Sequence, residues 1–292
     1  MKLQHWIEAA RPRTLPASVA PLLVASGYAI LRGTFAPGPV IIALGVSMLL
    51  QIGVNLANDY FDHVKGHDTA ERTGPRRAAA SGLIPARQVL GATLGVLAVA
   101  AVLIALLVVR AGAPILIAGI AALLAALAYS GGPYPLASHG LGELFVWIFF
   151  GPVAVIGSYY VQALSADRAI ALLSVGPGAL AAAILVVNNH RDRAEDARTG
   201  KRTLAVRWGE RGSRLEYVLL LLIAFALPAA VPELGWWRLL PLAVAPAAIG
   251  LVRQMVGGAH GVELNRTLAG TARLCLLYCA ALFLALVAAR LS

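Results

Sequence analysis

The chain has 292 residues, 59% of them apolar and only 13% charged, well short of the roughly 25% charged residues of a soluble globular protein. That excludes an ordinary soluble domain and indicates a membrane protein. The formal net charge of +10 raises nucleic acid as a partner, because clustered cations are the footprint of phosphate binding. Membrane anchoring and attraction to anionic lipids account for the same excess, so membrane lipids are expected and nucleic acid is not.

In chain order, the start from Met1 to Trp6 passes into Ala9-Ala10-Arg11-Pro12-Arg13 without a signal-type cleavage site. The first helix is therefore expected to serve as its own insertion signal. Charge-poor runs at 15–31, 40–57, 89–109, 113–129, 141–162 and 170–187 approach the length a spanning helix needs. Three more, at 217–231, 239–252 and 268–289, are shorter or carry Pro232, Pro241, Pro246 or Arg273 in or beside them. No linker interrupts the series, so the expectation is a single all-α polytopic domain over 1–292 with about nine transmembrane helices. With the N-terminus in the cytoplasm, such a topology leaves only Arg32, Arg110, Arg168, Arg238 and Arg290 of the 24 basic residues on the far side. That asymmetry supports both the count and the orientation. Cys275 and Cys279, one helical turn apart in an apolar run, read as two small buried side chains.

The charged residues are concentrated rather than scattered. Asn58-Asp59-Tyr60-Phe61-Asp62, continuing through His63 and Lys65 to Asp68, follows the second run, and Asn188-Asn189-His190-Arg191-Asp192, continuing to Asp196 and Gly200-Lys201, follows the sixth. A spacing of four puts Asn58 and Asp62 on one helical face, and likewise Asn188, Asp192 and Asp196. Asn58 and Asn188 lie 130 residues apart, each after a run heading to the cytoplasm, which makes a weak internal repeat with a site at its interface. Acidic oxygens beside cations at a membrane edge suit divalent ions holding a diphosphate. Solvated loops with capping Asn and Asp are the bland alternative, but capping does not require duplicated spacing.

Asn58-Asp-Tyr-Phe-Asp62 and Asp192-x-x-x-Asp196 resemble the two aspartate-rich motifs of the UbiA superfamily of intramembrane prenyltransferases. Gly131-Gly-Pro-Tyr-Pro-Leu136, Gly140-Leu-Gly-Glu-Leu-Phe145, Gly157-Ser-Tyr-Tyr160 and Gly200-Lys-Arg-Thr-Leu-Ala-Val-Arg207 resemble its 1,4-dihydroxy-2-naphthoate polyprenyltransferase branch. The recognisable segments spread from about Arg11 to Gly209. Other branches often follow the central Tyr-Pro with a Lys-Arg pair, whereas here Tyr134-Pro135 is followed by Leu136-Ala137-Ser138-His139. The resemblance implies transfer of a polyprenyl group from a polyprenyl diphosphate to 1,4-dihydroxy-2-naphthoate, releasing pyrophosphate and carbon dioxide, at the cytoplasmic face of a bacterial inner membrane.

Mg²⁺ is the expected cofactor, with Asn58, Asp62, Asp192 and Asp196 as ligands or supports for its waters. Lys65, Arg72, Arg191 and Lys201 are expected on the diphosphate, although each also fits a membrane anchor. Asp59 and Asp68 are candidates to activate an acceptor hydroxyl or position a metal-bound water. Arg11 and Arg13 fit the acceptor carboxylate, the diphosphate or an anchor equally, Tyr129 and Tyr134 fit the acceptor ring, and Asn188 is a further binding candidate. His63 and His67 have zinc-ligand spacing but read as loop residues beside a hard cation. Glu143 reads as a carboxylate at a helix N-terminus. Two alternatives stand: the same chemistry on another aromatic acceptor, or a secondary transporter, against which the central spans carry no buried charge relay.

Overall fold

A backbone in hydrocarbon must satisfy its polar groups within its own segment, so a chain this apolar folds as helices. The computed structural model describes residues 3–67 and 77–292, and among them there is no strand. A short helix α1 (Leu3–Ala10) leads to α2 (Leu15–Arg32), α3 (Pro37–Val64), α4 (Ala86–Ala111) and α5 (Ala113–Ala128). A broken element follows, α6 (Gly142–Ile148) and α7 (Ala154–Ala163), then α8 (Arg168–Arg198), α9 (Leu204–Ala226), α10 (Ala245–Val256) and α11 (Leu264–Leu291). Among the described residues eight stretches are long and apolar enough to cross a membrane, one fewer than the nine expected runs, and the run at 113–129 forms the shorter helix Ala113–Ala128. At about 1.5 Å per residue the 16 residues of α5 fall short of a hydrocarbon core of roughly 30 Å.

Proline and glycine place the breaks. Pro37 and Pro114 occupy first turns of α3 and α5, where the missing N–H has no helical acceptor to lose. Pro152 sits inside a widened π-helical turn, Phe149–Val153, that joins α6 to α7. This turn packs on α8 through glycines. A Cβ on Gly178 would lie 2.5 Å from the Trp147 carbonyl oxygen, and one on Gly151 would lie 2.8 Å from that of Ser174. The bare backbones therefore fix how close the two elements come.

Helix α8 is the axis of the bundle: 72% of its apolar window is buried, against 28% for α3. It packs against α9, α11 and α6. Buried tyrosines tie α9 to α11, with Tyr278 donating to the Ala224 carbonyl at 2.6 Å and Tyr217 paired with Thr271 at 2.8 Å. The outer faces of α4 and α5 present Val102, Val109 and Ile117 outward, as a lipid-facing surface requires. Cys275 and Cys279 are both free and buried in the α11 core, as expected.

Candidate active site

Helix α3 outruns the apolar stretch that was expected to end at 57, and α8 outruns the one expected to end at 187. The two motifs therefore sit on helical extensions rather than in the loops the charge pattern indicated. Their 28 and 31 residues exceed the roughly 20 that cross a bilayer, so the last turns emerge at the polar edge with their acids attached.

The two extensions meet on one ammonium group. Lys201 Nζ lies 3.5 Å from Asp62 Oδ1 and 3.9 Å from Asp196 Oδ1, so it bridges the first acidic helix to the second. Arg77 Nη2 donates to the other oxygen of Asp62 at 2.8 Å, and His67 Nδ1 lies 3.6 Å from Oδ1. All three acids, Asp62, Asp192 and Asp196, are buried. Asp192 takes a two-pronged bond from Arg191, with Nε and Nη2 each at 2.7 Å. The same guanidinium reaches Asn188 Oδ1 at 2.9 Å and Asn265 Oδ1 at 2.8 Å. Asn58 Oδ1 accepts from the Ser130 hydroxyl. Lys65 Nζ donates to the carbonyls of Ser130 at 2.7 Å and Gly132 at 3.3 Å. Burial and the neighbouring Lys201 charge hold Lys65 below the ordinary lysine pKa, against the opposing pull of Asp62.

Two of the candidates also support their neighbours. The oxygens of Asp59 accept the Ala78 and Ala79 amides at 2.9 and 3.1 Å, next to Arg77. Arg191 is enclosed by Asp192, Asn188 and Asn265, whose side chains its donors hold together. Asp68 and Arg72 lie outside the described residues, as does the side chain of Arg13.

The remaining candidates fall around this cluster. Burial, with the charges of Glu143, Asp62 and Asp196, keeps the Tyr129 hydroxyl protonated far above ordinary tyrosine. Tyr134 is exposed and stacks on His139 with ring centroids 3.7 Å apart. Arg11 has a left-handed backbone, φ 52°, in a segment held to the motif helix by Asn55, which donates to the Ala10 carbonyl at 3.0 Å. Such an outlier is held only where its surroundings demand it. Glu143 does sit in the first turn of α6, but it is buried and accepts from Asn189 at 2.7 Å. Arg77, Ser130 and Asn265 were not singled out beforehand. No spacing rule links them to acids and amides 15 to 74 residues away.

The donor set is all oxygen, which suits Mg²⁺ and not zinc. Among the described residues no three His, Cys, Asp or Glu side chains converge as a cage.

Fold and site define a multi-pass helical membrane protein that gathers acids and cations at one end of its bundle. A family model described as the UbiA prenyltransferase family matches residues 18–260. The chain is 40% identical over 293 residues, covering 99% of itself and 98% of its relative, to 1,4-dihydroxy-2-naphthoate octaprenyltransferase of Mycobacterium tuberculosis. It is 37% identical over 299 residues, 97% of this chain and 96% of the relative, to the protein of that name in Escherichia coli. Among solved structures, a UbiA homolog from Archaeoglobus fulgidus bound to GPP and Mg²⁺ aligns with TM-score 0.69 at 17% identity, covering 97% of this chain and 99% of that one. The chain belongs to the UbiA prenyltransferase family, and it is a membrane-embedded prenyltransferase.

Proposed function

We propose that this enzyme transfers a polyprenyl group from its diphosphate to 1,4-dihydroxy-2-naphthoate, releasing pyrophosphate and carbon dioxide to give demethylmenaquinol. The observation that carries the reading is the shared Lys201: two acidic helix ends converge on one cation, as two halves of a diphosphate site must. The names of the full-length relatives support the acceptor. The whole of 1–292 acts as one domain, in a bacterial inner membrane, with the site on the cytoplasmic side where the basic residues gather.

Asp62, Asp192, Asp196 and the amide oxygen of Asn58 are the groups that would hold Mg²⁺, whose charge when bound offsets that of the departing diphosphate. Lys201 and Lys65 hold the diphosphate oxygens, and their hydrogen bonds strengthen as the allylic carbon–oxygen bond breaks and negative charge collects on the leaving group. Arg191 keeps Asp192 and Asn188 in register on α8, and Arg77 does the same for Asp62. Burial of the acids limits water near the allylic cation, so the ring carbon attacks before hydrolysis does.

The test is an acceptor panel with detergent-solubilised protein and one polyprenyl diphosphate, read by product mass spectrometry and pyrophosphate release. Mg²⁺-dependent prenylation of 1,4-dihydroxy-2-naphthoate with loss of 44 mass units, the mass of carbon dioxide by simple stoichiometry (~44), is expected. Prenylation of a different acceptor alone would transfer the assignment to that acceptor. No pyrophosphate release with any acceptor would overturn the proposed reaction.

A further inference from the structure

Beside the acid cluster, and not part of it, a cleft of about 500 Å³ opens between the segment 132–139 and the segment 200–207. Its volume is within the roughly 300–1,000 Å³ of small-molecule sites. The cleft is built rather than accidental. Arg202 N donates to the Ser138 carbonyl at 2.8 Å, and Arg207 donates to the carbonyls of His139 and Arg202 at 2.9 and 3.1 Å. His139 Nδ1 meets the Pro135 carbonyl at 2.8 Å, which fixes the imidazole against the ring of Tyr134. Gly140, at φ +72°, closes the turn, and a Cβ there would lie 3.3 Å from the Arg202 carbonyl.

Two kinds of group face this space. The stacked Tyr134–His139 pair offers a flat aromatic surface, with Tyr134 56% exposed. Arg202 is exposed, lines the cleft, and makes no side-chain hydrogen bond or ion pair among the described residues. Lys65 and His67 form the wall shared with the acid cluster, so the cleft lies directly outside the place where the chemistry occurs. A phosphate needs cations but has no use for a stacking face, whereas an aromatic acid uses both.

We propose that this cleft is the entry and selection subsite for the aromatic acceptor, with the free face of Tyr134, backed by His139, stacking on its rings and Arg202 pairing with its carboxylate. Arg207 is a positioning residue that braces the two segments. The proposal rests on the prenyl-transfer reading and adds where the water-soluble substrate is recognised before it meets the lipid one.

The test compares the wild-type enzyme with Arg202→Gln and Tyr134→Ala, measuring KM separately for acceptor and polyprenyl diphosphate. Loss of a charge-assisted pair should raise the acceptor KM on the order of tenfold in Arg202→Gln and leave the diphosphate KM within about twofold. An acceptor lacking the carboxylate should be indifferent to Arg202 yet still lose affinity in Tyr134→Ala. Equal acceptor KM in wild type and both variants overturns the proposal. A rise confined to the diphosphate also overturns it and makes the cleft a pyrophosphate route. If the naphthoate acid is not a substrate but another aromatic acid is, the acceptor assignment fails while the same comparison runs on that acid. If no acceptor is prenylated, fluorescence titration of 1-hydroxy-2-naphthoate against wild type and Arg202→Gln decides: equal binding, or none, sinks the subsite.

Discussion

The two acid-bearing helix ends do similar work by opposite means. On α8, the second motif is supported mainly from its own helix: Arg191 clamps the adjacent Asp192 and the Asn188 one turn back, with one further bond to Asn265 on α11, on a helix buried through most of its length. On α3, the first motif depends on distant chain. Asp62 is paired with Arg77, and Asp59 holds the amides of Ala78 and Ala79, on a helix with a largely lipid-facing body. One half of the site therefore draws most of its support from its own helix, whereas the other draws it from the segment at 77–79.

Removing the acids themselves should produce the largest effect and should be the same for both halves. Asp62→Ala and Asp192→Ala are each expected to lower kcat/KM on the order of 10³-fold, and the double variant little further, because the parts act as a unit. Multiplicative losses in steady-state kinetics would separate the halves into independent sites.

The supporting arginines should then reveal the asymmetry. Arg191→Ala leaves a buried Asp192 without its partner and is expected to cost about 3–5 kcal/mol, seen as a large drop in thermal midpoint in detergent. Arg77→Ala is expected to spare the bundle's midpoint more and to expose the segment around 77–84 to limited proteolysis, since its partner lies at a helix end. Equal midpoints for the two variants would erase the distinction between a core-held and a loop-held half.

Lys201 belongs to both halves, so Lys201→Ala should reduce kcat/KM by on the order of 10²-fold in correctly inserted protein. Near-normal turnover would make it a surface anchor. Orientation can be read independently: introduced cysteines near Gly33 and Asp167 should label from outside intact cells, and one at Thr199 should not. The smallest effect is expected at the start of α9, where Thr203 accepts from the Val206 amide at 3.3 Å. Thr203→Ala should cost about 1 kcal/mol by thermal denaturation, with turnover reduced only as far as Lys201 loses its register.

By itself, the amino-acid sequence determined the helical membrane class, the nine runs, and the two faces carrying Asn58 with Asp62 and Asn188 with Asp196. These depend on local properties: apolar length against bilayer thickness, and a period of four along one helix. The pairing of Asp62 with Arg77, of Arg191 with Asn265, and of both acidic helices with Lys201 was decided only by the tertiary structure. Such contacts join residues far apart in the chain, so no local period or spacing rule reaches them. The contacts of Asp59 were hidden from the sequence for the same reason. A carboxylate beside a metal motif looks reactive in sequence, and only the return of Ala78 and Ala79 to its oxygens makes it a structural acceptor.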